Sequence, residues 1–224
     1  MSINAQQQIK CPKCGQLHEI NVWHSITVSD SPDLKADLLA GKINIFRCDS
    51  CGAAALLPTP LLYHDEEQRL MISFTPCTDE LTKRQLFDNI RASSKESGEL
   101  DALDDYNLRF VTDYNALLEK LLIFDNGLHD KVTEVLKLMV LMQEPDKMEQ
   151  RTAMFGKTDG DGLEFMVFDK KEEACYTSRV PYATYNTIKE ELRRSGVKYR
   201  SFDWEIVDAD YAARLLNGFN NRME

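Results

Sequence analysis

Long apolar runs are missing from this chain of 224 residues. No stretch approaches the roughly eighteen consecutive apolar residues of a membrane span, which argues against a helical membrane protein. The N-terminus, MSINAQQQIK, has neither a basic region nor the apolar core of a signal peptide, so a cytoplasmic protein is expected. Positive charge is scarce as well: 27 Lys and Arg stand against 37 Asp and Glu, a formal net charge of −10. The deficit divides unevenly, with 6 basic and 8 acidic residues in 1–77, 9 and 16 in 78–150, and 12 and 13 in 151–224, and no segment is a basic patch. Nucleic-acid binding draws much of its affinity from Lys and Arg on phosphates, so nucleic acid is a disfavoured partner. Cysteine is sparse too, at 6 residues, and this makes the placement of four of them informative.

Those four form two pairs of one spacing, CPKCG (Cys11–Gly15) and CDSCG (Cys48–Gly52). In a reducing compartment thiols stay reduced, and doubled Cys-x-x-Cys pairs favour a metal over disulfides. Zinc takes a tetrahedral shell of soft ligands, and two such turns supply four thiolates. The expected metal ligands are therefore Cys11, Cys14, Cys48 and Cys51, holding one structural Zn²⁺. A closed shell leaves no position for an activated water, which separates it from catalytic zinc. His18, four residues beyond Cys14, is a substitute ligand in principle; with the quartet complete it is expected on the strand surface. Metal binding in such sites is folding energy, so residues 7–77 are expected to lose their fold without it.

Residues 1–77 read as strands around the pairs. LHEINVWHSITV (17–28) alternates, with His18, Ile20 and Val22 on one side and Leu17, Glu19 and Asn21 on the other. SPDLKADLLAGK reads as a short helix with Ser31 as its cap, Pro32 in its first turn and Gly41 as its stop. This helix accounts for the 33 residues between Cys14 and Cys48, a longer spacer than the usual fifteen to twenty or so. INIFRC and AAALLP follow as strands, and PLLYHD and RLMISF form a hairpin through DEEQ. From Thr78, a candidate cap, the pattern is helical through Leu86, Phe87 and Ile90, and SSKESGELDALDD reads as an exposed linker. LRFVTDY is compatible with an extended segment. NALLEKLLIFDNG and an Asp130-capped KVTEVLKLMVLMQ form an antiparallel helical hairpin with charged, solvated flanks. Beyond 150, TAMFGK and LEFMVFD flank a TDGDG turn, YATYNTIKEELRRSG is an amphipathic helix, DWEIVD a strand, and ADYAARLLNG a helix ended by Gly218.

The stretch IKCPKCGQLHEINVWHSITVSDSPDLKADLLAGKINIFRCDSCG, with LLYHDEEQRLMISFTP after it, resembles the CpXC family of bacterial and archaeal proteins, named for paired Cys-Pro-x-Cys motifs. The resemblance is strong over 7–77 and extends to VTDYNALLEKLLIFDNGLHDKV, similar to the helical extension of longer members; the tail beyond 150 matches less well. Asp49 stands where the family name expects proline, but proline is not a ligand. The resemblance implies a zinc ribbon with no established activity.

Other residues carry weaker signals. Tyr63-His64-Asp65 is either a small acid-base cluster or a hairpin held by hydrogen bonds. Cys77 and Cys175 are single thiols with no histidine near them in sequence. Asp146, Asp169, Lys170 and Lys171 loosely fit a metal-dependent nuclease, and DGDG at 159–162 lacks the closing acid of an EF-hand.

The expected fold is α+β: a zinc ribbon at 1–77 with an inserted helix, a helical hairpin within 78–150, and a small α+β unit at 151–224. The expected role is protein recognition by a zinc-bearing adaptor module, with self-association through 114–142 if that apolar stripe is exposed. The alternatives are a hydrolase in the C-terminal part and nucleic-acid recognition by the knuckles.

Overall fold

Alternating apolar residues in the first third pair into sheets, and the leucine- and valine-rich stretches after it coil into helices. The computed structural model describes residues 1–98, 102–201 and 203–223, the last five of these by backbone alone. The fold is α+β, and the chain forms two compact units, Met1–Leu118 with Arg200–Glu205 and Glu119–Tyr199 with Ile206–Glu224. Among the described residues no helix is long and apolar enough to cross a membrane.

The first unit holds β1 (Ile3–Lys10), β2 (Leu17–Thr27), α1 (Pro32–Leu39), β3 (Ile45–Arg47), β4 (Ala54–Leu56), β5 (Leu61–Asp65), β6 (Leu70–Phe74), α2 (Glu80–Glu96) and β7 (Asn107–Val111). Its main sheet runs β1-β2-β5-β6-β7, and β3-β4 form a separate ribbon. The β2–β5 and β6–β7 pairings are parallel, so the chain must cross over between their strands. The first crossover carries α1, β3 and β4; the second carries α2. Where β2 has only β1 beside it, the ribbon is half-wet, and Leu17, Glu19 and Asn21 are exposed as the alternation implies. Deeper in, Ile26, Tyr63, Ile72 and Phe110 line the interior. Phe87 and Ile90 of α2 pack beside Tyr106, Leu108 and Trp204, and the Phe87 and Phe110 rings lie 5.7 Å apart.

Several local expectations change here. β1 is a strand that the polar NAQQQ does not announce; it is formed by ladder bonds to β2, with almost every side chain exposed. Ser31 precedes α1 without a side-chain cap bond, and α2 is capped by Asp79, which accepts from Thr82 N, in place of Thr78. The start of the expected linker, Ser93–Glu96, belongs to α2, and residues 99–101 of it lie outside those described. DWEIVD is no strand: Glu205 alone makes a parallel bridge to Arg109, while Asp203 turns to Arg91 at 2.6 Å. Arg109 is fully buried, donating to Ser201 Oγ at 2.6 Å and Glu205 Oε2 at 2.9 Å.

The second unit takes most of α3 (Tyr114–Asp125), then α4 (Asp130–Leu141), a 3-10 helix (Pro145–Gln150), β8 (Arg151–Asp159), β9 (Gly162–Asp169), β10 (Ala174–Pro181), α5 (Tyr182–Arg194) and α6 (Ala209–Met223). TDGDG is the β8–β9 turn, with Gly160 at φ 56°, and β10 adds a third antiparallel strand that the sequence reading lacks. Ala153, Phe155, Leu163, Phe165 and Val167 form the inner sheet face and pack with Val132, Val135 and Leu136 of α4. α6 runs through Gly218, whose φ is not positive; an interior glycine costs a helix only about 1 kcal/mol.

The flanks of α4 are not solvated as expected. His129, not Asp130, is its cap, and Asp130, Lys131 and Glu134 are buried along with the apolar residues. Buried charges persist only when paired. Lys120 Nζ lies 3.3 Å from Asp130 and 3.0 Å from Glu134 and donates to Val207 O at 2.6 Å. Burial pulls the ammonium pKa of Lys137 down, but Glu134 at 3.1 Å and Glu119 at 2.8 Å hold it above the ordinary lysine value. Glu119 in turn accepts from Phe155 N at 2.6 Å, tying this network to the sheet. The apolar stripe of 114–142 is mostly spent inside, with Leu117, Leu121, Val132, Val135 and Leu136 buried and Met139 and Met142 exposed.

Replacing Lys120 with Met takes one ammonium from between Asp130 and Glu134, while Lys137 stays 3.1 Å from Glu134 and His129 3.3 Å from Asp130. Urea unfolding is expected to show a loss of about 3–5 kcal/mol, the scale for breaking a buried ion pair from one side.

Candidate metal centre

Both cysteine pairs sit at the tips of two-stranded ribbons, the first between β1 and β2 and the second between β3 and β4. The two tips repeat one backbone pattern. Cys11 N donates to Gln16 O at 2.8 Å and Gly15 N to Cys11 O at 2.9 Å; Cys48 N donates to Ala53 O at 2.8 Å and Gly52 N to Cys48 O at 2.9 Å. Each turn closes through a left-handed residue, Gly15 at φ 77° and Gly52 at φ 69°, which is where glycine spares the chain the cost of a Cβ. Pro12 and Asp49 occupy equivalent places in the two turns, so the aspartate leaves the geometry intact.

The turns bring all four sulfurs within 4.8 Å of one another. Cys11 Sγ is 3.6 Å from Cys51 Sγ, and Cys14 Sγ is 3.5 Å from Cys48 Sγ. Cys11 and Cys48 are buried against Val22, Phe46 and Leu57, whereas Cys14 is exposed. The Cys14 amide, with that of Lys13, donates to the Cys11 sulfur and brings its pKa down to about 6, outweighing burial. Against the Gln16 amide, the Cys48 thiol and burial push Cys14 up. Against the Ala53 amide, burial and the Cys48, Cys11 and Cys14 thiols push Cys51 up to about 12. Crowded sulfurs share protons in this way because they cannot all ionise side by side; a cation among them removes that conflict. Cys11, Cys14, Cys48 and Cys51 can therefore hold a metal ion.

His18 departs from its expected surface position. It is half-buried, with Nε2 3.2 Å from Cys48 Sγ and its ring edge-on to Phe46 at a centroid distance of 5.3 Å. The signal was available: His18 shares the strand face of Ile20 and Val22, which turns inward.

The remaining candidates are dispersed. Tyr63 and His64 point to opposite sides of β5: Tyr63 OH donates to Asp65 Oδ2 at 3.1 Å, while His64 Nε2 meets Tyr106 OH at 3.2 Å. Asp65 also pairs with Lys35 at 3.0 Å and accepts from Gln68 N. Burial pushes its carboxyl up, but Lys35, Gln68 and Tyr63 together hold it below the ordinary range, as in a hairpin clamp. Asp169 pairs with Arg151 at 2.9 Å and accepts from the amides of Lys171 and Glu172, so both its oxygens are engaged; Asp146 lies in the 3-10 helix. Cys77 donates to Asp79 O at 3.3 Å, and Cys175 is exposed on β10.

An α+β chain with two matched cysteine turns that can share one metal ion defines the class. Its sequence matches the family model described as CpXC protein over residues 9–137, and the chain belongs to the CpXC family. It is also 23% identical over 221 residues to a Treponema pallidum (strain Nichols) protein described as an uncharacterized protein, covering 94% of this chain and 95% of that one. No solved structure matches.

Replacing Gly52 with Ala tests the left-handed turn. A Cβ there would meet nothing within 4 Å, so the cost is conformational alone. Denaturant unfolding of metal-loaded protein is expected to show a loss of about 1–2 kcal/mol, and Gly52→Asn, which tolerates this conformation better, is expected to lose less.

Proposed function

We propose that this chain is a zinc-binding protein in which one Zn²⁺ on Cys11, Cys14, Cys48 and Cys51 is structural, and that the stabilised chain recognises other proteins in the cytoplasm. The carrying observation is the sulfur spacing. Zinc–sulfur bonds of about 2.3 Å give a tetrahedron with edges of about 3.8 Å. The closest sulfur pairs stand at 3.5 and 3.6 Å, and no separation exceeds 4.8 Å. Amide donors around the sulfurs suit thiolates, and four protein ligands fill the shell, which favours structure over catalysis.

The recognition reading draws on charge and exposed apolar surface. A net charge of −10 favours protein over nucleic-acid partners. Met166 and Phe168 of β9 are exposed on the outer face of the three-stranded sheet. A second copy docking through 114–142 would use the exposed Met139 and Met142.

Elemental analysis of protein purified without added metal is expected to find one zinc per chain. Cys11→Ser and Cys48→Ser are each expected to abolish it. Iron in place of zinc, or a metal-free wild-type chain, would overturn the reading.

A further inference from the structure

The contact between His18 and Cys48 has chemical content that the four ligands alone do not. We infer that His18 donates its Nε2 proton to the metal-ligating Cys48 thiolate and so acts as a positioning residue for the metal centre; this rests on the metal reading proposed above. A thiolate bound to a cation carries no proton. The ring nitrogen 3.2 Å from it must therefore be the donor, which selects the Nε2–H form of the imidazole.

The fold holds the ring in that orientation. His18 lies on β2 opposite Ile9 of β1, four residues beyond Cys14, and its ring is edge-on to Phe46, the residue two before Cys48. A side chain from the strand that follows the first turn thereby reaches a ligand of the second. Cys48 is 2% exposed, so water has little access to its sulfur. Four thiolates on a divalent cation leave the site with net negative charge, and each N–H aimed at a sulfur disperses part of it. Backbone amides do this at Cys11, Cys14 and Cys51, and His18 adds a side-chain donor at Cys48. Groups that hold ligands in this way commonly contribute about 10- to 100-fold in metal affinity.

His18→Phe keeps an aromatic ring against Phe46 and removes the donor, whereas His18→Gln removes the ring and restores an N–H. Zinc affinity is read by competition with a chromophoric chelator, and sulfur-to-metal charge transfer by the absorption of the Co²⁺-loaded full chain. His18→Phe is expected to bind zinc about 10-fold more weakly and to shift the Co²⁺ charge-transfer bands to lower energy, with the d–d envelope of a four-thiolate site unchanged. His18→Gln is expected to stay near the wild type in both. A His18→Phe protein that matches the wild type, or a His18→Gln protein that loses as much as His18→Phe, overturns the inference. A changed d–d envelope would make His18 a ligand and overturn it as well. A wild-type chain that takes up neither metal overturns the metal reading along with it.

Discussion

Four sulfurs from two cysteine pairs with 33 residues between them, crowded to within 4.8 Å, are the constraint around which the first unit is arranged. Neither ribbon is braced at its cysteine end, since β2 gains β5 as a neighbour only from Ser25 to Thr27. β1 is exposed along nearly its whole length, and β3 and β4 are three residues each. An isolated two-stranded ribbon is marginal at best in water. What fastens the two tips is the small cluster of Cys11, Cys48, Val22, Phe46 and Leu57, too few side chains for an independent core. Thiols left there would either repel as anions or remain protonated, as the opposed shifts of Cys11 and Cys51 express. A cation resolves this, and the proposed zinc would supply through coordination what the local core lacks.

The second unit solves the opposite problem. It has a full apolar core between α4 and the three-stranded sheet, and it buries charge as well. The pairing of 119 with 137 and of 120 with 130 and 134 specifies how α3 and α4 face each other, and the bond from Phe155 N to Glu119 carries that register to the sheet. Charged residues at these positions read as a solvated flank in the sequence because composition cannot reveal a partner one helix away.

Legibility followed from how local each signal was. The cysteine turns could be read completely, since spacing and glycine determine them, and the β5–β6 and β8–β9 hairpins could be read from their turn residues. α5 emerged from its periodicity. β1 and β10 did not, because a polar edge strand is made by its neighbour's ladder and carries no apolar alternation of its own. Helix starts were misread by one residue at Thr78 and at Asp130, where two adjacent polar residues compete to cap and only backbone geometry decides. His18 was placed on the correct strand face and given the wrong surroundings, because the second ribbon that covers it, around Phe46 and Cys48, arrives from far along the chain.

With the proposed zinc in place, metal ligation holds the first unit's ribbons together while the second unit stands on its own core. Amide hydrogen exchange, compared between the metal-loaded chain and the chain after complete removal of metal by a chelator, tests it most directly. Protection is expected to collapse across β1, the cysteine-side half of β2, β3, β4 and both cysteine turns and to persist across α4 and β8–β9. Unchanged protection at the cysteine ends of the ribbons once the metal is gone would mean that they stand without it.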